Sequence, residues 1–168
     1  ALERHRFAPL GPKIITLLPA TARPQGPEPP MGGDPLLIDT GPLVAWFDRR
    51  DNHHGRCRAF FATLERPLVT TWPVVTEVCH LVPAHVVVGF MGWIAAGGLR
   101  VDPMSAGAAA DIYASMRKYA DVPMDLADAS LVWLAGSLRV GDIATLDRTD
   151  FGIYRLPHGR LLRNVLGP

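Results

Sequence analysis

The sequence predicts an α/β fold with a mainly parallel central sheet covered by helices. Three observations predict it: short apolar runs that stop at turn residues, helical periodicities of about 10–15 residues between them, and acids that recur where a strand ends or a helix begins. The first run, Leu36-Leu37-Ile38, goes straight into Asp39-Thr40-Gly41-Pro42 and then into Leu43-Val44-Ala45-Trp46-Phe47. A continuous apolar run bounded by turn signals reads as a buried parallel strand. Leu43, Val44 and Phe47 recur at helical spacing, with Thr40 available as the cap. Asp39 then stands at the carboxyl end of a central strand, where open α/β sheets place their ligands. An ionised carboxylate held there is costly unless neutralised, and a bound cation neutralises it. The other role open to Asp39 is a plain helix cap, which aspartate favours.

The alternation continues down the chain. Asp51 to Leu64 reads as a helix with Asp51 or Asn52 as its cap, and Leu68-Val69-Thr70-Thr71 as a strand. Pro73 suits a first helical turn, Val74, Val75, Val78, Leu81 and Val82 give that helix an apolar face, and Pro83 ends it. A further helix runs from Ala84 to Ala96, where Gly97-Gly98 stop it. Leu99-Arg100-Val101 is a strand, Ser105 to Tyr119 a helix, and Leu126 to Leu138 another. Asp142 to Leu146 is a strand, and Tyr154-Arg155-Leu156 a weaker edge strand. No internal repeat is present.

With 168 residues, nearly half of them apolar, the chain has room for one well-formed core. A formal charge of +1 gives no bulk argument for nucleic acid, although a local basic face remains open. Cys57 and Cys79 lack metal-type spacing and fit a reducing compartment. No apolar run approaches the roughly 18 residues of a membrane span, and Ile14 to Leu18 is too short for a signal peptide, so a cytoplasmic protein is expected. Residues 1–35 differ: Pro9, Pro12, Pro19, Pro24, Pro27, Pro29, Pro30 and Pro35 mark a linker or surface-wrapping extension. Residues 36–168 are the expected folded domain, and Met31 is a candidate natural start.

Three further acids, Glu77, Asp128 and Asp147, share the setting of Asp39, with Asp125 close beside one of them. Glu77 lies one turn into a helix among valines; Asp125 and Asp128 are three apart at a helix start; Asp147 follows a strand. Each has a structural alternative, as a solvated first-turn residue, a cap or a turn former. In a parallel α/β layout, however, strand carboxyl ends and the following helix starts share one edge. Carboxylates gathered there would repel one another, and a divalent cation removes that cost. Oxygen-only ligands point to Mg²⁺ or Mn²⁺ rather than zinc. Such a cation makes a bound water more acidic and stabilises charge on a phosphoryl oxygen, which implies phosphodiester hydrolysis. Arg49, Arg50, Arg56, Arg58, Lys118 and Arg148 are candidates to grip the nucleic acid, the alternative for each being a solvated face.

LLIDTGPLVAWFD, TEV, DLADASLVWLA and IATLDRTDF, in that order, resemble the motifs of PIN-domain proteins, particularly the VapC-type toxins of bacterial toxin–antitoxin pairs. The resemblance spans roughly Leu36 to Arg155. It implies a three-layer α/β/α PIN-like fold, an Mg²⁺- or Mn²⁺-dependent endoribonuclease and a cognate antitoxin. Carried over, the family's catalytic acids fall on Asp39, Glu77, Asp128 and Asp147, with Asp39, Asp128 and Asp147 on the metal. Asp125 and Asp150 are nearby acids able to join the metal shell; Thr40 and Thr145 would hold the acids in place. Arg49 and Arg148 are the leading RNA-binding candidates. Trp46, Trp72, Trp93 and Trp133 and the apolar Ala84–Gly98 helix suggest more greasy surface than one core needs, hence a homodimer. Two alternatives stand beside this. One is a PIN fold that binds RNA or protein without turnover. The other is a retropepsin-like aspartic protease, which shares the Asp39-Thr40-Gly41 run but is all-β.

Overall fold

The computed structural model of the chain describes residues 34–122, 124–147, 149, 151–156 and 159–167. Its strands are β1 (Leu36–Ile38), β2 (Leu68–Thr71), β3 (Arg100–Asp102), β4 (Asp142–Ala144) and β5 (Arg163–Asn164). The helices are α1 (Thr40–Phe47), α2 (His54–Ala62), α3 (Trp72–Leu81), α4 (Ala84–Ala95), α5 (Ala108–Lys118) and α6 (Leu126–Leu138). The strands form one sheet in the order β3-β2-β1-β4-β5, and every pairing is parallel. β1 is central: Leu37 pairs with Val69 on one side and Ile143 on the other. All three β1 residues are fully buried, which is why their pattern is continuously apolar rather than alternating. The chain steps outward from β1 to β2 and β3, then returns to the other side of β1 as β4. Right-handed crossovers therefore put α1 to α4 over one face and α5 and α6 over the other, giving three layers. The crevice between β1 and β4 is the switch point of the sheet.

Local signals account for most element ends. Proline occupies the first turn of α3, and Pro83 separates α3 from α4. Gly97 turns the chain off α4 at φ +84°, a conformation that suits glycine. Gly98 lies against the Trp93 ring so closely that a β-carbon there would fall inside the indole. Trp93 belongs to an aromatic cluster that joins three helices: Trp46 stacks on Phe61 at 4.2 Å and meets Trp93 edge-on at 5.1 Å, while Phe47 meets Phe90 at 5.2 Å. At the amino edge of the sheet, Arg163 grips Asp142 through both oxygens at 2.8 and 2.9 Å. Arg66 reaches the same carboxylate at 2.6 Å and also donates to the carbonyls of Asp34 and Pro35. This clamp ties the starts of β1, β4 and β5 together.

Several expectations are corrected. The edge strand is Arg163–Asn164; the Tyr154 segment makes only an isolated antiparallel bridge between Arg155 and Leu161. The second helix begins at His54, because Asp51 turns back to accept from the His53 N–H at 2.7 Å and holds the preceding residues in a turn. Asp39, not Thr40, is the N-cap of α1. Trp46, Trp93 and Trp133 pack on the core, leaving only Trp72 broadly exposed among the four at 47%. A parallel sheet with six described helices also removes the all-β protease alternative. Among the described residues no helix is long and apolar enough to cross a membrane. The proline-rich stretch before Asp34 lies outside the described residues.

Candidate active site

Asp39 extends β1 by one residue, and its backbone N–H donates to Ala144 O at 3.1 Å. Its extended backbone suits an N-cap, and its Oδ1 accepts from the Thr40 N–H at 2.7 Å. Its Oδ2 accepts from the Thr145 hydroxyl at 2.7 Å. The carboxylate that caps α1 also lines the cleft. Only 9% of Asp39 is exposed. Burial pushes its carboxyl up to about 6, and the negative charges of Glu77 and Asp125 add to the rise, although the Thr145 and Thr40 bonds oppose it.

The neighbouring acids are set by their own elements. Glu77 sits in the second turn of α3, and the Thr40 hydroxyl donates to its Oε2 at 2.5 Å. Asp125 is the N-cap of α6, accepting from the Asp128 N–H at 2.9 Å. Asp128 lies in the first turn of that helix, and Tyr154 directs its hydroxyl at Asp128 Oδ2 from 3.4 Å. Asp147 follows β4; its N–H donates to Thr145 Oγ1 at 2.9 Å, and its Oδ1 accepts from the Thr149 N–H at 2.7 Å. One cleft at the carboxyl edge is lined by Asp39, Glu77, Asp125, Asp128 and Asp147. Thr40 and Gly41 complete its floor, and Leu81 and Met124 give it an apolar side.

Two expected members, Asp150 and Arg148, lie outside the described residues. Arg49 is not brought to the cleft: it follows the far end of α1, about 12 Å along the helix from its start. Arg56 instead donates to the Gly167 carbonyl. No described basic residue lines the cleft. Sequence reasoning missed three contributors. Asn164 brackets Thr145, donating to its carbonyl at 2.9 Å and accepting from its N–H at 3.3 Å. Tyr154 is fully buried, with its ring edge-on to Tyr119 and Phe151. Met124 lines the wall. The one signal for Asn164 was a polar residue amid Leu161, Leu162, Val165 and Leu166, which does not name its partner.

Five carboxylates with no cation among the described lining residues make an oxygen-only donor set of strongly negative charge. That chemistry fits a hard divalent cation. Among the described residues, no three His, Cys, Asp or Glu side chains stand ready-grouped to hold a metal. Asp125 commits one oxygen to its cap.

A parallel three-layer sheet whose switch point opens onto such a cleft defines a PIN-like α/β/α protein. No family model matches the chain. It is 30% identical over 124 residues to Ribonuclease VapC26 of Mycobacterium tuberculosis (strain ATCC 25618 / H37Rv), an alignment covering 71% of this chain and 92% of that relative. The crystal structure of Mycobacterium tuberculosis VapC20, described as a Sarcin-Ricin loop cleaving toxin, superposes with a TM-score of 0.61 at 15% identity, over 67% of this chain and 90% of that one. The chain belongs to the VapC-type PIN-domain ribonucleases, the toxins of toxin–antitoxin pairs.

Proposed function

We propose that the chain is an endoribonuclease that hydrolyses RNA phosphodiester bonds with Mg²⁺ or Mn²⁺ in the acidic cleft. The convergence of Asp39, Glu77, Asp125, Asp128 and Asp147 from separate segments carries this reading. Asp39, Asp128 and Asp147 would hold the cation, with Asp125 and Asp150 available to complete its shell. What the cation supplies is neutralisation of charge on the phosphoryl oxygen and a more acidic water. Glu77 would orient the attacking water: Thr40 holds Oε2, so Oε1 is the oxygen left to accept the water proton as the new P–O bond forms and the ester P–O bond breaks, the departing ester oxygen taking its proton from solvent. Thr145 keeps Asp39 and Asp147 at one spacing through a single hydroxyl. Arg148, beside Asp147 in sequence, is the candidate to grip the RNA backbone.

The same reading assigns residues 36–168 to the nuclease domain, a cognate antitoxin and a second copy of the chain as partners, and the cytoplasm as compartment. Exposed Val88 and Leu81 offer apolar surface for partners, and the two free thiols suit a reducing environment. The test is Asp39→Asn. We expect RNA cleavage in Mn²⁺ to vanish while the melting temperature of the metal-free protein does not fall. Cleavage at the parental rate would overturn the assignment.

A further inference from the structure

Thr71 ends β2 and occupies the N-cap position of α3. A threonine there ordinarily turns its hydroxyl onto the first N–H groups of its own helix. Thr71 makes no such bond. Its Oγ1 lies instead 2.5 Å from Ser130 Oγ on α6, and Ser130 Oγ donates to Ala127 O at 2.7 Å. A hydroxyl carries one proton. Since that of Ser130 goes to Ala127, Thr71 is the donor in the pair, and the bonds run in one direction from the start of α3 to the first turn of α6.

Both side chains are wholly buried. Stability alone does not call for them, because replacing both members of a buried hydrogen-bonded pair by apolar groups of the same shape is nearly neutral. What the bonds fix is a separation. Thr71 opens the helix that carries Glu77, and Ala127 lies between Asp125 and Asp128. No other described side-chain hydrogen bond runs directly between β2 or α3 and α6.

We infer that the Thr71–Ser130–Ala127 relay is a positioning device that sets the distance between Glu77 and the Asp125/Asp128 pair across the cleft. The inference rests on the metal-dependent nuclease reading above. Neither hydroxyl lines the cleft, so both act through the acids rather than on substrate.

The test compares the full chain with Thr71→Val, Thr71→Ser, Ser130→Ala and the double variant T71V/S130A. Three quantities are read: Mn²⁺ affinity of the RNA-free protein from the resonance of free Mn²⁺, kcat and KM measured separately, and melting temperature. Breaking the relay at either member is expected to weaken Mn²⁺ binding or lower kcat by about 10–100-fold. KM stays within about twofold, and the double variant is no worse than the singles because either change breaks the same chain. Thr71→Ser restores the parental values, and the double variant melts close to the parent. A double variant with parental Mn²⁺ affinity and kcat overturns the relay, as does a Thr71→Ser protein as impaired as Thr71→Val. If Ser130→Ala alone lowers the melting temperature, the two Thr71 variants decide, since they leave Ser130 in place. A parent that neither binds Mn²⁺ nor cuts RNA overturns the nuclease reading itself and the inference with it; loss confined to the variants leaves that reading intact.

Discussion

Thr145 serves two acids with one hydroxyl, donating to Asp39 Oδ2 and accepting from the Asp147 N–H. Thr145→Val keeps the shape and removes both bonds. Asp39 Oδ2 is then buried without its donor, a loss of about 1–3 kcal/mol. Cleavage should fall about 10–100-fold as Asp39 and Asp147 lose their common reference point. Single-turnover RNA cleavage and thermal melting check the two halves separately. Asp39 itself opposes the metal-free fold at neutral pH. Its folded-state carboxyl, near 6, sits above the ordinary 3.8, so the stability that the protonated form contributes is complete below about pH 4 and is lost as pH rises through about 6. This sign is why Asp39→Asn is expected to cost activity and not the fold. Asp39, Glu77, Asp125, Asp128 and Asp147 were legible in the sequence because each terminates or opens an element. Asn164 and Tyr154 were not: they reach the site across 19 and 26 residues by tertiary packing alone, and no local pattern announces that.

Elements explain what individual residues do not. The amino-edge clamp joins three strands through Asp142, whose carboxyl is held down to about 2, first by the Arg163 bonds and then by Arg66 against the opposing effect of partial burial. A depressed folded-state value contributes stability that is present above about pH 4 and is lost as pH falls toward 2. Arg163 is largely exposed, so solvent screening reduces this contribution. Asp142→Asn should therefore melt lower than the parent at pH 6, with the gap closing toward pH 2 in a melting series. The α4 end gives a second expectation. Gly98→Ala drives a methyl into the Trp93 indole and should cost about 1–3 kcal/mol, seen as a lower denaturation midpoint. Strand and helix identities followed from apolar runs, Pro73 and the Gly97-Gly98 stop. The edge strand was misplaced because Tyr154 is buried by aromatic packing, not by sheet pairing, while the true edge pair, Arg163–Asn164, has no apolar signature. Helix starts drifted where a side chain, such as that of Asp51, closes a turn before the helix.

At the scale of the molecule, all described strands, helices and core residues lie at or after Leu36. The proline-rich composition of residues 1–30 offers few core-forming residues, so a protein beginning at Met31 is expected to keep the melting temperature and the cleavage rate of the full chain; a large fall in either would assign the first 30 residues a share of the fold or the site. The parallel sheet also has two unlike ends. Its carboxyl edge gathers acids that repel one another, and its amino edge holds Asp142 between two arginines. No residue of the clamp lines the cleft. The lifetime of a folded copy and its speed of cutting are consequently adjustable from opposite poles of the molecule. A lineage could shorten the persistence of such a protein by loosening Arg66 or Arg163 and leave every surviving copy as potent as before.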